Sequence, residues 1–127
     1  MADFSFNHIA LSVKDVNHSV EFYQSVFSLE EIPNTASNSK TRWLVFKNGI
    51  QLHLIPRPQA EIKTNKAVHF ALATKAIGTF ITHLKTLGID YSDWVDSPNK
   101  DYIRKDGIKQ VYFKDVDGYW IEINDDI

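Results

Sequence analysis

One phrase occurs twice in this chain: HIAL beginning at His8 and HFAL beginning at His69. A helical stripe and then further β-rich runs follow each copy. A second pair of markers is placed alike within the two copies: His53 and Glu122 each stand four residues after a turn glycine, Gly49 and Gly118. A duplication of this kind constrains the fold more than any local propensity, because each copy must be the same supersecondary unit. The order is strand, helix, several strands, repeated once.

In the first copy, Phe6 to Val13 alternates with period two and reads as a strand. Asp15 reads as a helix N-cap, followed by Val16, Val20, Tyr23 and Phe27 on one helical face. Pro33 to Lys40 is polar and turn-like. Thr41 to Phe46 and Ile50 to Ile55 are two β-rich runs joined by Lys47-Asn48-Gly49, a hairpin signal, and Pro56 and Pro58 end the second run. In the second copy, Val68, Phe70 and Leu72 alternate with His69, Ala71 and Ala73. Ile77, Phe80, Ile81, Leu84 and Leu87 then make a helical stripe stopped by Gly88. A polar stretch from Tyr91 to Lys105 precedes a strand at Lys109 to Phe113, a turn at Asp115 to Gly118 and a last strand at Tyr119 to Asn124. The expected organisation is one domain over 1–127: a first module at about 5–57, a linker at 58–66 and a second module at about 67–125.

With 127 residues, 43% of them hydrophobic and 24% charged, the chain has the make-up of a folded globule. A net charge of −2 carries no electrostatic footprint for nucleic acid or an anionic membrane. There is no cysteine, which excludes disulfide scaffolds, thiolate zinc sites, iron–sulfur clusters and cysteine nucleophiles. The N-terminal residues lack the pattern of a signal peptide and no apolar run approaches a membrane span, so a cytoplasmic protein is expected.

The chemistry sits on the repeat. Leu52 and Leu54 share one strand face while Gln51, His53 and Ile55 share the other; Ile121 and Ile123 oppose Trp120, Glu122 and Asn124 in the same way. His8, His53, His69 and Glu122 therefore point away from the apolar side of their strands. A single mid-strand His or Glu is ordinarily hydrogen-bonded or solvated, but four at repeat-equivalent positions suggest convergence about a pseudo-twofold. Imidazole and carboxylate together suit zinc, iron(II), nickel, cobalt or manganese. His18 and His83 fall on helices with polar neighbours and carry no assignment.

The strings FNHIALSVKDVNHSVEFYQSVFSLE, GIQLHLI, VHFALAT and QVYFKDVDGYWIEI resemble the vicinal oxygen chelate superfamily. Glyoxalase I, methylmalonyl-CoA epimerase, extradiol dioxygenases, fosfomycin-resistance transferases and bleomycin-binding proteins belong to it. The resemblance implies an α+β fold of paired βαβββ modules with metal ligands from the first and fourth strand of each. Those positions fall on His8, His53, His69 and Glu122. Ser28 stands where a glycine is usual and Val116 where a DPDG turn has proline, and both changes touch turns alone. His53 is the informative departure: glyoxalase I usually has a carboxylate there, and extradiol dioxygenases have no ligand there.

The resemblance implies a metal-dependent enzyme whose small substrate chelates through two neighbouring oxygens, of isomerase or lyase type with a stabilised enediolate. Glu122 or a released His53 is the expected base. An extradiol-type dioxygenase or thiol transferase on the same site, and a non-enzymatic binding or resistance protein, are the alternatives. Trp43, Trp94, Tyr102, Tyr112 and Trp120 are candidates to line a substrate pocket, and Arg104, Lys105 and Lys109 to meet an acidic group. The resemblance implies a homodimer, with the site either within one chain or drawing His8 and His53 from one subunit and His69 and Glu122 from the other. Residues 92–109, with the turn chemistry of Ser97-Pro98-Asn99 and Asp106-Gly107, are expected to be the mobile, substrate-contacting segment.

Overall fold

In a computed structural model describing residues 2–127, the chain divides into two compact units, one ending at Ile62 and the other spanning Lys63–Ile127. The first contains β1 (His8–Val13), α1 (Val16–Phe27), β2 (Glu30–Ile32), β3 (Arg42–Val45) and β4 (Gln51–Pro56). The second contains β5 (His69–Ala73), α2 (Ile77–Thr86), β6 (Tyr102–Ile103), β7 (Lys109–Lys114) and β8 (Trp120–Asn124). Each unit is a βαβββ module. The sheet orders β1-β4-β3-β2 and β5-β8-β7-β6 are the same, with the first strand parallel to the fourth and the other pairs antiparallel. The duplication read in the sequence is a duplication of topology.

The hairpins before β4 and β8 are built alike. Gly49 N–H donates to Phe46 O at 2.9 Å and Phe46 N–H to Ile50 O at 2.8 Å. Gly118 N–H donates to Asp115 O at 3.1 Å and Asp115 N–H to Tyr119 O at 2.9 Å. Both glycines are left-handed, at φ +90° and +92°, as the closing residue of such a loop requires. The Asp115 carboxylate also accepts from Asp117 and Tyr119 N–H, so the turn closes without the proline that Val116 replaces.

In the first unit, Leu44, Leu52 and Leu54 are fully buried with Val13 and the α1 residues Val20, Tyr23 and Val26. The buried face of α1 is turned slightly from the expected stripe: Ser19 and Val26 are buried, while Val16 and Phe27 are only half-buried. Asp15 caps α1 by accepting from His18 N–H at 3.1 Å, and Ser28 ends it in the left-handed region at φ 55°. In the second unit Ile77, Leu84, Val111, Phe113, Ile121 and Ile123 are buried. Leu87, expected on the α2 stripe, is exposed and caps the helix before Gly88. Two short strands, β2 and β6, lie where no strand is expected. Pro56 completes β4 opposite Val13, since a proline at a strand's last position gives up little of the ladder. No helix among the described residues is long and apolar enough to cross a membrane.

Asp15→Ala removes the side-chain cap and is expected to lower stability by about 1 kcal/mol. Urea unfolding measures it; an unchanged midpoint would show that the cap contributes nothing.

Candidate metal centre

The common hairpins set the register of the fourth strand in each module. His53 lies opposite Trp43 across the antiparallel pair, and Glu122 lies opposite Tyr112. On the parallel side His8 pairs with Gln51 and His69 with Trp120, so each first-strand histidine is diagonal to the fourth-strand residue. Two corresponding triads result: Trp43, His53 and His8 in the first unit, and Tyr112, Glu122 and His69 in the second.

The second triad is polar and buried. Glu122 is 7% exposed. Its Oε1 accepts from the Tyr112 hydroxyl at 2.9 Å and lies 3.3 Å from His69 Nε2, while its Oε2 accepts from Asn124 Nδ2 at 2.7 Å. Burial pushes the carboxyl upward, but the bonds from Asn124 and Tyr112 outweigh it and hold the group below its ordinary range. Burial and the bond to Glu122 push the Tyr112 phenol well above its ordinary value, so it remains a donor. His69 Nδ1–H donates to the Lys66 carbonyl at 2.9 Å, which puts the neutral ring's lone pair on Nε2, facing Glu122. Two electron-pair donors thus face one another. That is the arrangement a shared proton or a metal cation satisfies, and a histidine anchored through its other nitrogen is the usual form of a metal ligand.

The first triad is a stack. The His53 ring lies 4.2 Å from the Trp43 ring at an interplanar angle of 5°, and 4.1 Å from the His8 ring at 16°. His53 Nε2–H donates to Gln51 Oε1 at 2.8 Å, and His8 Nδ1–H to Asn7 Oδ1 at 2.6 Å. The second bond places the lone pair of His8 on Nε2. Burial, followed by the neighbouring His8, lowers the pKa of His53 from its ordinary value.

Each unit thus brings two of the four expected ligands together. Among the described residues, no group of three or more His, Asp or Glu is gathered to hold a metal ion. The oxygen and nitrogen donors present nevertheless fit a borderline divalent cation, with each histidine oriented by a carbonyl oxygen.

The expected pocket residues have varied surroundings. Trp43 belongs to the stack, and Tyr112 is buried against Glu122. Trp94 and Tyr102 are exposed, with Trp94 5.5 Å from the Tyr112 ring and 6.2 Å from that of His69. The Lys114 ammonium lies over Trp120, Arg104 pairs with Asp106, and Lys109 with Asp101. Within 92–109, Ser92 is bonded in both directions to the Tyr112 backbone, and Asp93 is buried and accepts from Ser97 N–H.

Several supporting residues had no assignment from sequence. Asn7, Gln51 and Asn124 adjoin their histidine or glutamate, or share its strand face, and that proximity was the available signal. Lys66 is different. Its ammonium donates to Ser92 Oγ, the Asp93 carbonyl and Asp96 Oδ1, and lies within 5.7 Å of the Trp94, Tyr112 and Trp120 rings. It ties the Trp94 loop to the segment whose carbonyl orients His69.

The chain belongs to the Glyoxalase/Bleomycin resistance protein/Dioxygenase superfamily, whose model matches residues 5–123. It is 30% identical over 128 residues to Glyoxylase I 4 of Arabidopsis thaliana, covering 94% of this chain and 69% of that protein. It is 25% identical over 122 residues to the fosfomycin resistance protein FosX of Listeria monocytogenes, covering 93% and 86%. The crystal structure of that FosX in its hexagonal form superposes with a TM-score of 0.79 at 22% identity, covering 99% of this chain and 96% of that one. A mutant of FosX, similar at TM-score 0.77 and 22% identity over 98% and 93% of the two chains, was crystallised with Mn(II) and 1S,2S-dihydroxypropylphosphonic acid.

Tyr112→Phe removes a bond to a carboxylate, and such bonds are worth about 1.5–3 kcal/mol. Because Glu122 has a lowered folded pKa, its contribution is present above the unfolded value and lost as pH falls through the folded one. The variant should therefore be less stable than wild type at neutral pH, and the gap should narrow in acid. Urea unfolding at several pH values checks this; a gap independent of pH would detach the bond from the carboxylate's charge.

Proposed function

We propose that this protein is a metal-dependent enzyme in which His8, His69 and Glu122 ligate one divalent cation and a small substrate binds through two neighbouring oxygens. The ligands come from one chain or from two copies in a homodimer. The observation that carries the reading is the His69–Glu122 pair: a lone pair on Nε2 faces a carboxylate held ionised by Tyr112 and Asn124. Family membership and the Mn(II) named with a similar structure agree with it. A cation there supplies Lewis-acid stabilisation of negative charge developing on the two substrate oxygens.

The protein's own groups then have distinct tasks. Lys66 O and Asn7 Oδ1 fix the tautomers of His69 and His8. Tyr112 and Asn124 hold Glu122 as an anion, and Trp94 stands exposed beside His69 for contact with substrate. An isomerase or lyase reaction through an enediolate also needs a proton acceptor. A second reading on the same cation is addition of a thiol to the substrate, in which the thiol loses its proton as the carbon–sulfur bond forms and the oxygen leaving that carbon gains one. The metallothiol transferase FosB of Shouchella clausii, 26% identical over 120 residues, is named for that chemistry.

Calorimetric titration with Mn(II), Co(II) and Zn(II) is expected to show saturable binding that His69→Ala and Glu122→Gln each abolish. The binding should weaken in acid, where protons compete for the ring nitrogens. Variants that bind as tightly as wild type would overturn the ligand set. The loaded protein, given an α-ketoaldehyde thiol adduct in one assay and fosfomycin with a thiol in another, separates the two reaction types.

A site shared between subunits makes a further prediction. Mixing His8→Ala chains with Glu122→Gln chains should restore one intact site per mixed dimer. Verified mixed dimers that bind no metal would place all three ligands in one chain.

A further inference from the structure

A metal held by an imidazole lies close to the plane of the ring, in line with the nitrogen lone pair and about 2.0–2.1 Å from it for zinc. Two histidines that share an ion must therefore have ring planes that both pass through it. The rings of His8 and His53 do not meet this condition. Their centroids are 4.1 Å apart and their planes are inclined by only 16°. Ring contact keeps stacked planes about 3.5 Å apart or more, and at so small an inclination they do not converge within bonding reach of a nitrogen. On its other side His53 lies against Trp43, centroid to centroid 4.2 Å and within 5° of parallel. Its Nε2 is engaged with Gln51 in the plane of the ring.

The second module shows what the same lattice positions do with other residues. There the residue across the antiparallel pair is Tyr112, which reaches Glu122 through its hydroxyl, and Glu122 turns an oxygen to His69. In the first module the facing residue is Trp43, which offers a ring face. His53 is related to Glu122 by the repeat but occupies a different chemical setting.

We propose that His53 is a positioning residue for His8 and not a metal ligand: it is the middle plate of a Trp43–His53–His8 column that fixes the His8 ring. With Asn7 on Nδ1 and the column on one face, His8 presents Nε2 in a single direction. This inference rests on the metal reading above for what His8 is positioned to do, while the column itself does not depend on it.

The test uses the full chain with His53→Ala and His53→Phe, the second keeping an aromatic plate and removing both ring nitrogens. In the metal-free protein, proton NMR of the His8 ring should show a ring-current shift that His53→Ala changes and His53→Phe largely retains. In calorimetric titration with Zn(II), His53→Ala should weaken binding by about 10–100-fold, the loss typical of a group that orients a ligand. His53→Phe should recover most of it. His8 resonances that do not move in His53→Ala overturn the column. His53→Phe binding no more tightly than His53→Ala overturns the positioning role, since a lone pair would then be what matters. A wild-type chain that takes up no metal defeats the metal reading, and the NMR comparison then still decides for or against the column.

Discussion

The glycine-closed hairpin that leads into the fourth strand, together with that strand's parallel pairing to the first, is the constraint on which the rest depends. A strand shifted by one residue presents its other face. Because Gly49 and Gly118 close equivalent loops, the residue four positions on lies on the outward face in both modules, diagonal to the first-strand histidine. Leu52, Leu54, Ile121 and Ile123 take the inward face and are buried. Packing of those four side chains and placement of His53 and Glu122 are the same event, seen from the two faces of a strand.

The two modules use this common frame differently. Tyr112 faces Glu122 and gives a buried, hydrogen-bonded carboxylate beside His69; Trp43 faces His53 and gives a stack with His8. One residue across the strand changes what the repeat-equivalent position can do. The polar half is further braced by Lys66, whose side chain holds the Trp94 loop while its carbonyl orients His69.

Much of this was legible in the sequence, because the signals were periodic or local. Alternation gave the long strands, Asp15 and Gly88 the helix ends, and the repeated HIAL and HFAL the module plan. What escaped was short or depended on distant partners. β2 is three residues, two of them glutamates, and is stabilised by pairing to β3 and by Arg42 gripping Glu31. The burial of Ser19 followed from helix rotation against the sheet, which a hydrophobic stripe alone does not specify. Lys66 meets its oxygens 26 to 30 residues away. The orientation of the His53 ring depends on Trp43 and Gln51, and strand periodicity fixes which face a side chain takes but not how its ring is turned.

The proposed centre is a single divalent cation held by two imidazoles and one carboxylate. Electron–nuclear double resonance on the Mn(II)-loaded protein, with isotope-labelled histidine, counts the bound imidazoles directly. Two are expected, falling to one in His8→Ala. Three coupled imidazoles in the wild type, or none, would contradict it.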